Sequence, residues 1–193
     1  MPMILRIDPY DDLWPEEFIA IAGPIRAALG NLALRIDHIG STSVPGLDAK
    51  DIIDLQVTVR ELDSERIAPP LGAIGYTLHP TITRDHLPAG EDPDPAQWTK
   101  LNFRAPVGQR PTHLHVRQEG RANQRYALLF RDYLRAHPGV AETYAIIKRE
   151  LIRLNPDDVD AYYAVKDPVC DLIMDAARIW GAATGWEPGP SDA

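Results

Sequence analysis

The 193-residue chain has one cysteine, Cys170, and no run of eighteen apolar residues. A single cysteine cannot form an internal disulfide, which is typical of a reducing compartment, and we expect Cys170 to pack in a core. Without a long apolar run the sequence predicts no membrane-spanning helix. The first residues, MPMILRIDPYDD, lack the basic region and cleavage site of a secretory signal. We therefore expect a cytoplasmic protein that does not enter a membrane.

Basic residues are outnumbered, with 20 Lys and Arg against 28 Asp and Glu and a net charge of −8. This balance argues against binding to long nucleic acids, which an acidic surface repels. The charge is unevenly spread, however. Residues 100–153 hold eleven Lys or Arg and four acids, so this segment carries +7 and the remainder carries −15. The basic segment is either a set of solvated helix faces or a site for a small anionic ligand.

The hydrophobic pattern predicts an α+β fold in one domain. A helical period covers WPEEFIAIAGPIRAALGN, and strand-like alternation marks LRIDHIG, IIDLQVTV and the hairpin TKLNFRAPV–THLHVRQ. Between them, TRDHLPAGEDPDPAQW is predicted to be an exposed loop. Helices follow from residue 122 onwards. We expect a mixed sheet flanked by helices with a helical C-terminal third, a single domain over residues 1–183, and a disordered tail over 184–193.

The stretch HIGSTSVPGLDAKDIIDLQVTV, residues 38–59, combines two strands with a Gly-Ser turn between them. The backbone N–H groups at Gly40 and Ser41 and the hydroxyl of Thr42 are donors that suit phosphate oxygens. On the second strand, Asp54 and Gln56 share the polar face and lie about 7 Å apart along the strand. The pattern therefore predicts a phosphate-binding turn beside a strand that carries one carboxylate.

This arrangement resembles the active-site frame of the nucleotidyltransferase superfamily. Together with THLHV, LLFRDYLRAHP and YAIIKREL, it identifies the chain as a member of the GrpB family, also called UPF0157, which is a branch of that superfamily. The sequence is also similar to the domain that follows the kinase domain in actinobacterial dephospho-CoA kinases. The chain contains no GxxxxGK[ST] loop, so we do not expect kinase chemistry.

The resemblance implies that Gly40 and Ser41 grip a phosphate and that Asp54 is the catalytic acid and metal ligand. Gln56 stands where the superfamily has a second acid, and no third acid is evident. The resemblance thus implies Mg²⁺ at Asp54, held weakly unless a phosphorylated ligand adds its own oxygens. Whether the chain catalyses nucleotidyl transfer stays open, because its acid set is incomplete.

Two histidines, His113 and His115, share one face of the second hairpin strand with Arg117. They would bind a transition metal, contact an anionic substrate or form structural hydrogen bonds, and no third metal ligand can be placed from the sequence. Lys50, just before the strand of Asp54, either binds phosphate or is a solvated surface lysine.

Further along, Arg131 is a candidate ligand contact, whereas Asp132 is expected to form structural ion pairs. The aromatic residues Tyr126, Phe130 and Tyr133 recur at helical spacing and are expected to lie in a core.

Two functional hypotheses follow. The first is a protein that binds a nucleotide or another phosphorylated small molecule, with weak or no nucleotidyl transfer; the alternative is a noncatalytic partner or assembly module. The first requires the polar groups to converge on one cleft, whereas the second predicts an exposed apolar patch. The residues expected to line that cleft are Gly40, Ser41, Lys50, Asp54, Gln56, His113 and His115.

Overall fold

The computed structural model describes residues 6–193. Its α-helices are α1 (Trp14–Leu29), α2 (Ser64–Ala73), α3 (Pro95–Trp98), α4 (Ala122–Ala136), α5 (Pro138–Leu154) and α6 (Val159–Thr184). Its strands are β1 (Ala33–Ile39), β2 (Ile53–Val59), β3 (Thr77–Leu78), β4 (Leu101–Arg104) and β5 (Thr112–Gln118). The predicted α+β class and the helical C-terminal third are confirmed.

The five strands form one mixed sheet in the order β1-β2-β5-β4-β3. β1 and β2 are antiparallel neighbours, as are β5 and β4, and β4 and β3. β2 and β5 are parallel, and their register pairs Asp54 with His113 and Gln56 with His115. This parallel pairing brings together two segments that lie about sixty residues apart in the chain.

One face of the sheet is covered by α1 and α2. The apolar positions of β2 and β5 point to this side, where they join one hydrophobic core. That core contains Trp14, Phe18, Ile25, Ile53, Leu55, Val57, Ile67, Leu71, Leu114 and Val116. The alternation predicted for IIDLQVTV is therefore present, and it leaves the polar positions of β2 on the opposite face.

The C-terminal helices pack together around a second core. Tyr133 and Leu134 of α4, Tyr144 of α5 and Met174 of α6 are buried there. The break between α4 and α5 falls at His137, and Pro138 occupies the first turn of α5, where a missing N–H costs nothing. These helices stand beside the polar face of the sheet and leave a cavity between them and β2 and β5.

The C-terminal residues 184–193 are expected from the sequence to be disordered, but Thr184 ends α6 and Ser191 to Ala193 lie along β1. Ser191 and Ala193 contact the backbone of Ile36, and Asp192 accepts a hydrogen bond from the backbone N–H of His38 at 2.9 Å. The Asp192 carboxylate also pairs with Arg131 at 2.7 Å. The composition of the tail predicted disorder because its Gly and Pro residues give no periodic signal. The tail is ordered by contacts of Asp192 with His38 and Arg131, which lie far away in the sequence.

Within residues 6–193, no helix is both long enough and apolar enough to span a bilayer.

Candidate functional site

A cavity of about 640 Å³ lies between the polar face of the sheet and helices α4, α5 and α6. This volume is within the range of small-molecule sites. Its walls include Gly40, Ser41, Thr42, Lys50, Asp54, Lys100, Asn102, His113, His115, Arg117, Tyr126, Phe130, Tyr144, Lys148, Tyr162, Tyr163 and Lys166. All but one of the residues expected to share a cleft are therefore brought together; Gln56 is the exception.

The turn after β1 passes very close to Asp54. Gly40 has a φ of +70°, and a Cβ at this position would lie 2.4 Å from Asp54 Oδ2. Real atoms do not approach so closely, so the residue must be glycine both for its conformation and for this contact. The absence of a side chain at Gly40 is what lets the Gly40–Ser41 turn lie against the carboxylate.

Asp54, His113 and His115 form a cluster on the cavity floor. Asp54 Oδ1 and His113 Nδ1 lie 2.9 Å apart, and the two imidazole rings are nearly perpendicular with centroids 6.3 Å apart. Burial raises the pKa of Asp54, but the hydrogen bond and charge of His113 outweigh it and the pKa is lowered. The same hydrogen bond raises the pKa of His113. Burial and the neighbouring Lys100 lower the pKa of His115 well below its ordinary value.

Lys148 of α5, which we did not identify from the sequence as a site residue, points towards the Gly40–Ser41 turn. Its Nζ donates to Ser41 Oγ at 2.9 Å and to the carbonyl oxygen of Asp48 at 2.6 Å. Burial, with the charges of Lys166 and Lys50, lowers the pKa of Lys148 to about 7. A signal was present: Lys148 continues the buried stripe of Ala141, Tyr144 and Ala145, and a lysine on such a stripe is unusual.

The opposite end of the cavity carries an ion-pair network centred on Asp85. Its carboxylate accepts hydrogen bonds from Lys100 at 2.6 Å, from Arg117 at 2.8 and 2.9 Å and from Asn123 at 3.0 Å. Although burial raises the pKa of Asp85, Arg117 and Lys100 hold it far below its usual value. Asp85 lies in the segment that was expected to be an exposed loop. It instead lines the cavity, where its carboxylate stabilises the buried cations Lys100 and Arg117.

An aromatic wall faces these charged groups. Tyr126 and Phe130 of α4 stack with ring centroids 6.2 Å apart and line the cavity, so they are not purely core residues as expected. Tyr133 does lie in the helical core. On α6, the hydroxyl of Tyr163 accepts a hydrogen bond from Lys50 at 2.7 Å. Lys50 is thus directed into the cavity and is not a solvated lysine.

Gln56 and Arg131 do not lie where the sequence led us to expect them. Gln56 has no exposed surface; its amide oxygen accepts from Arg117 at 2.6 Å, and its amide nitrogen donates to the carbonyl of Gln124 at 3.1 Å. Arg131 is buried outside the cavity walls, where it bonds Asp132, Asp192 and the carbonyl of His38. Both side chains hold helix α4 against the sheet.

Thr42 has an intermediate position. It borders the cavity, but its hydroxyl bonds His38 Nε2 at 3.0 Å and the carbonyl of Ile52 at 3.3 Å. Its side chain therefore stabilises the turn that Ser41 presents.

The fold implies a Mg²⁺ ion, and the side-chain oxygens around Asp54 decide whether the protein alone can bind one. Mg²⁺ prefers several oxygen ligands in octahedral geometry. Asp54 supplies one carboxylate, whereas the Gln56 oxygen is taken by Arg117 and the Asp85 carboxylate by Arg117 and Lys100. The side chains present do not fit a Mg²⁺ site made by the protein alone.

Known proteins resemble this chain in sequence and in fold. The family model described as GrpB protein matches residues 4–176. The chain belongs to the GrpB family. A dephospho-CoA kinase of Mycobacterium tuberculosis is 36% identical over 196 residues, which cover 95% of this chain and 48% of the kinase. The chain thus spans about half the length of that curated relative.

Two solved structures place the fold. The conserved protein GrpB from Enterococcus faecalis superimposes with a TM-score of 0.74 at 29% identity, over 91% of this chain and 99% of that protein. A cytoplasmic RNA terminal U-transferase superimposes with a TM-score of 0.51 at 15% identity, over 76% of this chain and 44% of that one. The GrpB chain therefore shares the fold of nucleotidyltransferases.

The close approach of Gly40 to Asp54 can be tested against a matched glycine. Gly46 has a similar φ of +76°, but a Cβ there would meet no atom within 4 Å. Gly46→Ala incurs the cost of its positive φ, whereas Gly40→Ala also meets a ψ of −174°, in a region almost exclusive to glycine. We therefore expect Gly40→Ala to lose more free energy of unfolding in urea, and we expect part of that loss to disappear when Asp54 is also changed to Gly, because the carboxylate no longer has to be displaced. An equal loss for Gly40→Ala with and without the Asp54 side chain would contradict this close contact.

Proposed function

We propose that this GrpB protein binds a nucleotide or another phosphorylated small molecule in the cavity, with a phosphate held between the Gly40–Ser41 turn and Lys148. The observation that carries the proposal is the direct contact between Lys148 Nζ and Ser41 Oγ. A buried ammonium group and a hydroxyl on a tight turn are donors of the kind that phosphate oxygens accept.

The electrostatics of this end of the cavity favour an anion. Lys148 is only 2% exposed, and in the described part of the chain its Nζ bonds neutral oxygens and forms no ion pair. Lys50 and Lys166 line the same cavity; Lys166 pairs with Asp167, whereas Lys50 forms no ion pair within residues 6–193. A buried cation without a counter-ion is costly, because it has lost its hydration. A phosphate that binds beside Lys148 supplies the missing negative charge, and this attraction favours binding.

The aromatic wall suits the remainder of such a ligand. The rings of Tyr126 and Phe130 are available along the cavity, next to Tyr144 and Tyr162. An aromatic base gains stacking energy on side chains of this kind, which supports a nucleotide over a bare phosphate.

We further propose that nucleotidyl transfer is slow or absent and that Mg²⁺ binds weakly without a phosphorylated ligand. Phosphoryl chemistry with two metals needs clustered carboxylates, and the cavity offers Asp54 without the partners that the fold's enzymes use. Asp54 with His113 then serves mainly to position the ligand and to accept or hold a proton at the imidazole.

Ligand binding is tested by calorimetry after a thermal-shift screen of nucleoside triphosphates, CoA precursors, sugar phosphates and pyrophosphate, with and without Mg²⁺. For the strongest ligand, we expect Ser41→Ala to cost about 1.5–3 kcal/mol of binding free energy. Lys148→Met should lower the affinity at least about tenfold and leave the protein folded, because it removes an uncompensated buried charge.

The matched control is Arg149→Met. Arg149 is the next residue on α5, but its side chain is 44% exposed and pairs with Asp48. An equal loss of affinity in this control would show that only the net charge matters. A panel in which no compound raises the melting temperature would overturn the proposed function.

The lowered pKa of Lys148 predicts that binding depends on pH. Above about pH 7 the free lysine is largely neutral and must gain a proton to act as a cation, so the affinity should fall between pH 6 and pH 8.5. The probe is a diphosphate diester, because its own charge is constant in this range. Lys148→Met should make the affinity independent of pH in this range.

His113→Asn is the control that separates the titration of His113, which faces Lys50, Lys100 and Asp54, from that of Lys148. If Lys148→Met keeps the pH dependence of the wild type, the dependence does not come from Lys148.

A separate observation supports the second candidate function, an assembly module. Val165, Leu172 and Ile179 recur every seven residues on one face of α6 and are 46%, 71% and 73% exposed. If this stripe mediates self-association, the wild type should sediment as a dimer and Leu172→Glu/Ile179→Glu as a monomer. Val107→Glu, a change at a fully exposed loop residue, is the control. A wild type that stays monomeric at high concentration contradicts self-association through this face.

A further inference from the structure

Three potential metal ligands meet at one point of the cavity. Asp54, His113 and His115 each offer one donor atom, and the three atoms lie within 4.8 Å of one another. We propose that these residues form a binding site for a divalent transition metal, Zn²⁺ above all, in the free protein. The site is independent of the phosphate contacts of Ser41 and Lys148.

The strands set the geometry of this site. The parallel register places Asp54 of β2 beside His113 of β5, and the two-residue spacing puts His115 on the same face. Zinc donors lie about 2.0–2.2 Å from the metal, so two of them are at most about 4.4 Å apart. In a tetrahedral site two such donors are about 3.4 Å apart, so rotation of the three side chains brings donors that lie within 4.8 Å of one another onto one ion.

The ligand types select the metal. Two imidazoles and one carboxylate are the donors of zinc sites that keep an open position, and they also suit iron and other transition metals. Mg²⁺ favours oxygen ligands, which here are largely occupied by cations. His113 is half-exposed, so the remaining coordination position opens to the cavity and to solvent or a ligand oxygen.

Asn102 is a candidate positioning residue. In the metal-free protein, Nδ1 of His115 accepts from Lys100 Nζ at 3.2 Å and faces Asn102 Nδ2 at 3.4 Å, so the ring proton is on Nε2. Metal binding through Nε2 requires the tautomer with the proton on Nδ1, where the Asn102 oxygen accepts it once the amide rotates and Lys100 turns fully towards Asp85. Such outer hydrogen bonds orient ligating histidines. Lys100 retains its ion pair with Asp85.

The test uses the full chain, stripped of metal and free of phosphate. Titration with Co²⁺ should give visible d–d absorption from one tightly bound ion per chain, which Zn²⁺ displaces and excess Mg²⁺ does not. His113→Ala and His115→Ala should each weaken Zn²⁺ binding by at least about a hundredfold, and Asn102→Ala by about ten- to a hundredfold. His79→Ala, at a histidine outside the cavity walls, is the matched control and should bind as the wild type does.

A wild type that binds neither Co²⁺ nor Zn²⁺ would overturn the site, as would unchanged affinity in His115→Ala. If a variant does not fold, histidine-selective NMR of the wild type decides the question, since Zn²⁺ must shift the rings of His113 and His115 and leave His79 unchanged. Lys148→Met should retain full metal affinity. The two proposals can therefore be tested separately: either metal binding or phosphate binding can be disproved while the other is retained.

Discussion

The parallel pairing of β2 with β5 is the constraint on which the rest of the site depends. Both strands are anchored from below by apolar residues in the main core, so their register cannot slip without exposing that core. Because the register is fixed, the side chains on the opposite face are fixed as well, and Asp54, His113 and His115 keep their relative positions. The turn at Gly40 and the Asp85 segment then attach to this frame through contacts with Asp54, Lys100 and Arg117.

Charge is distributed unequally between the two ends of the cavity. At one end, Lys100 and Arg117 share the Asp85 carboxylate as a counter-ion, so each of these cations has an acidic partner and the network keeps one net positive charge. At the other end, Lys148 and Lys50 bond neutral oxygens. An anion gains most where the cations lack acidic partners, so the ligand that we propose would bind with its phosphate towards α5 and its remainder towards the aromatic wall.

Sequence periodicity predicted the fold well, because the strand alternation and the helical stripes report directly on the two cores. It also placed Ser41, Asp54 and the two histidines in one cleft. It failed for Gln56 and Arg131, whose partners lie far away in the chain: a polar residue on a strand face looks the same whether a helix or a ligand covers it. Lys148 was missed although its place on the buried stripe of α5 is a local signal, because that signal does not show that the lysine packs against the turn at Ser41.

The C-terminal residues beside β1 have a further consequence, for association between molecules. β1 is the edge of the sheet, and an uncovered edge offers N–H and C=O groups to any other strand. Ser191, Asp192 and Ala193 occupy these groups at Ile36 and His38. A strand from another copy would have to displace them and break the pair of Asp192 with Arg131. The short segment thus protects the sheet from growing by addition of strands, and so from aggregation along that edge.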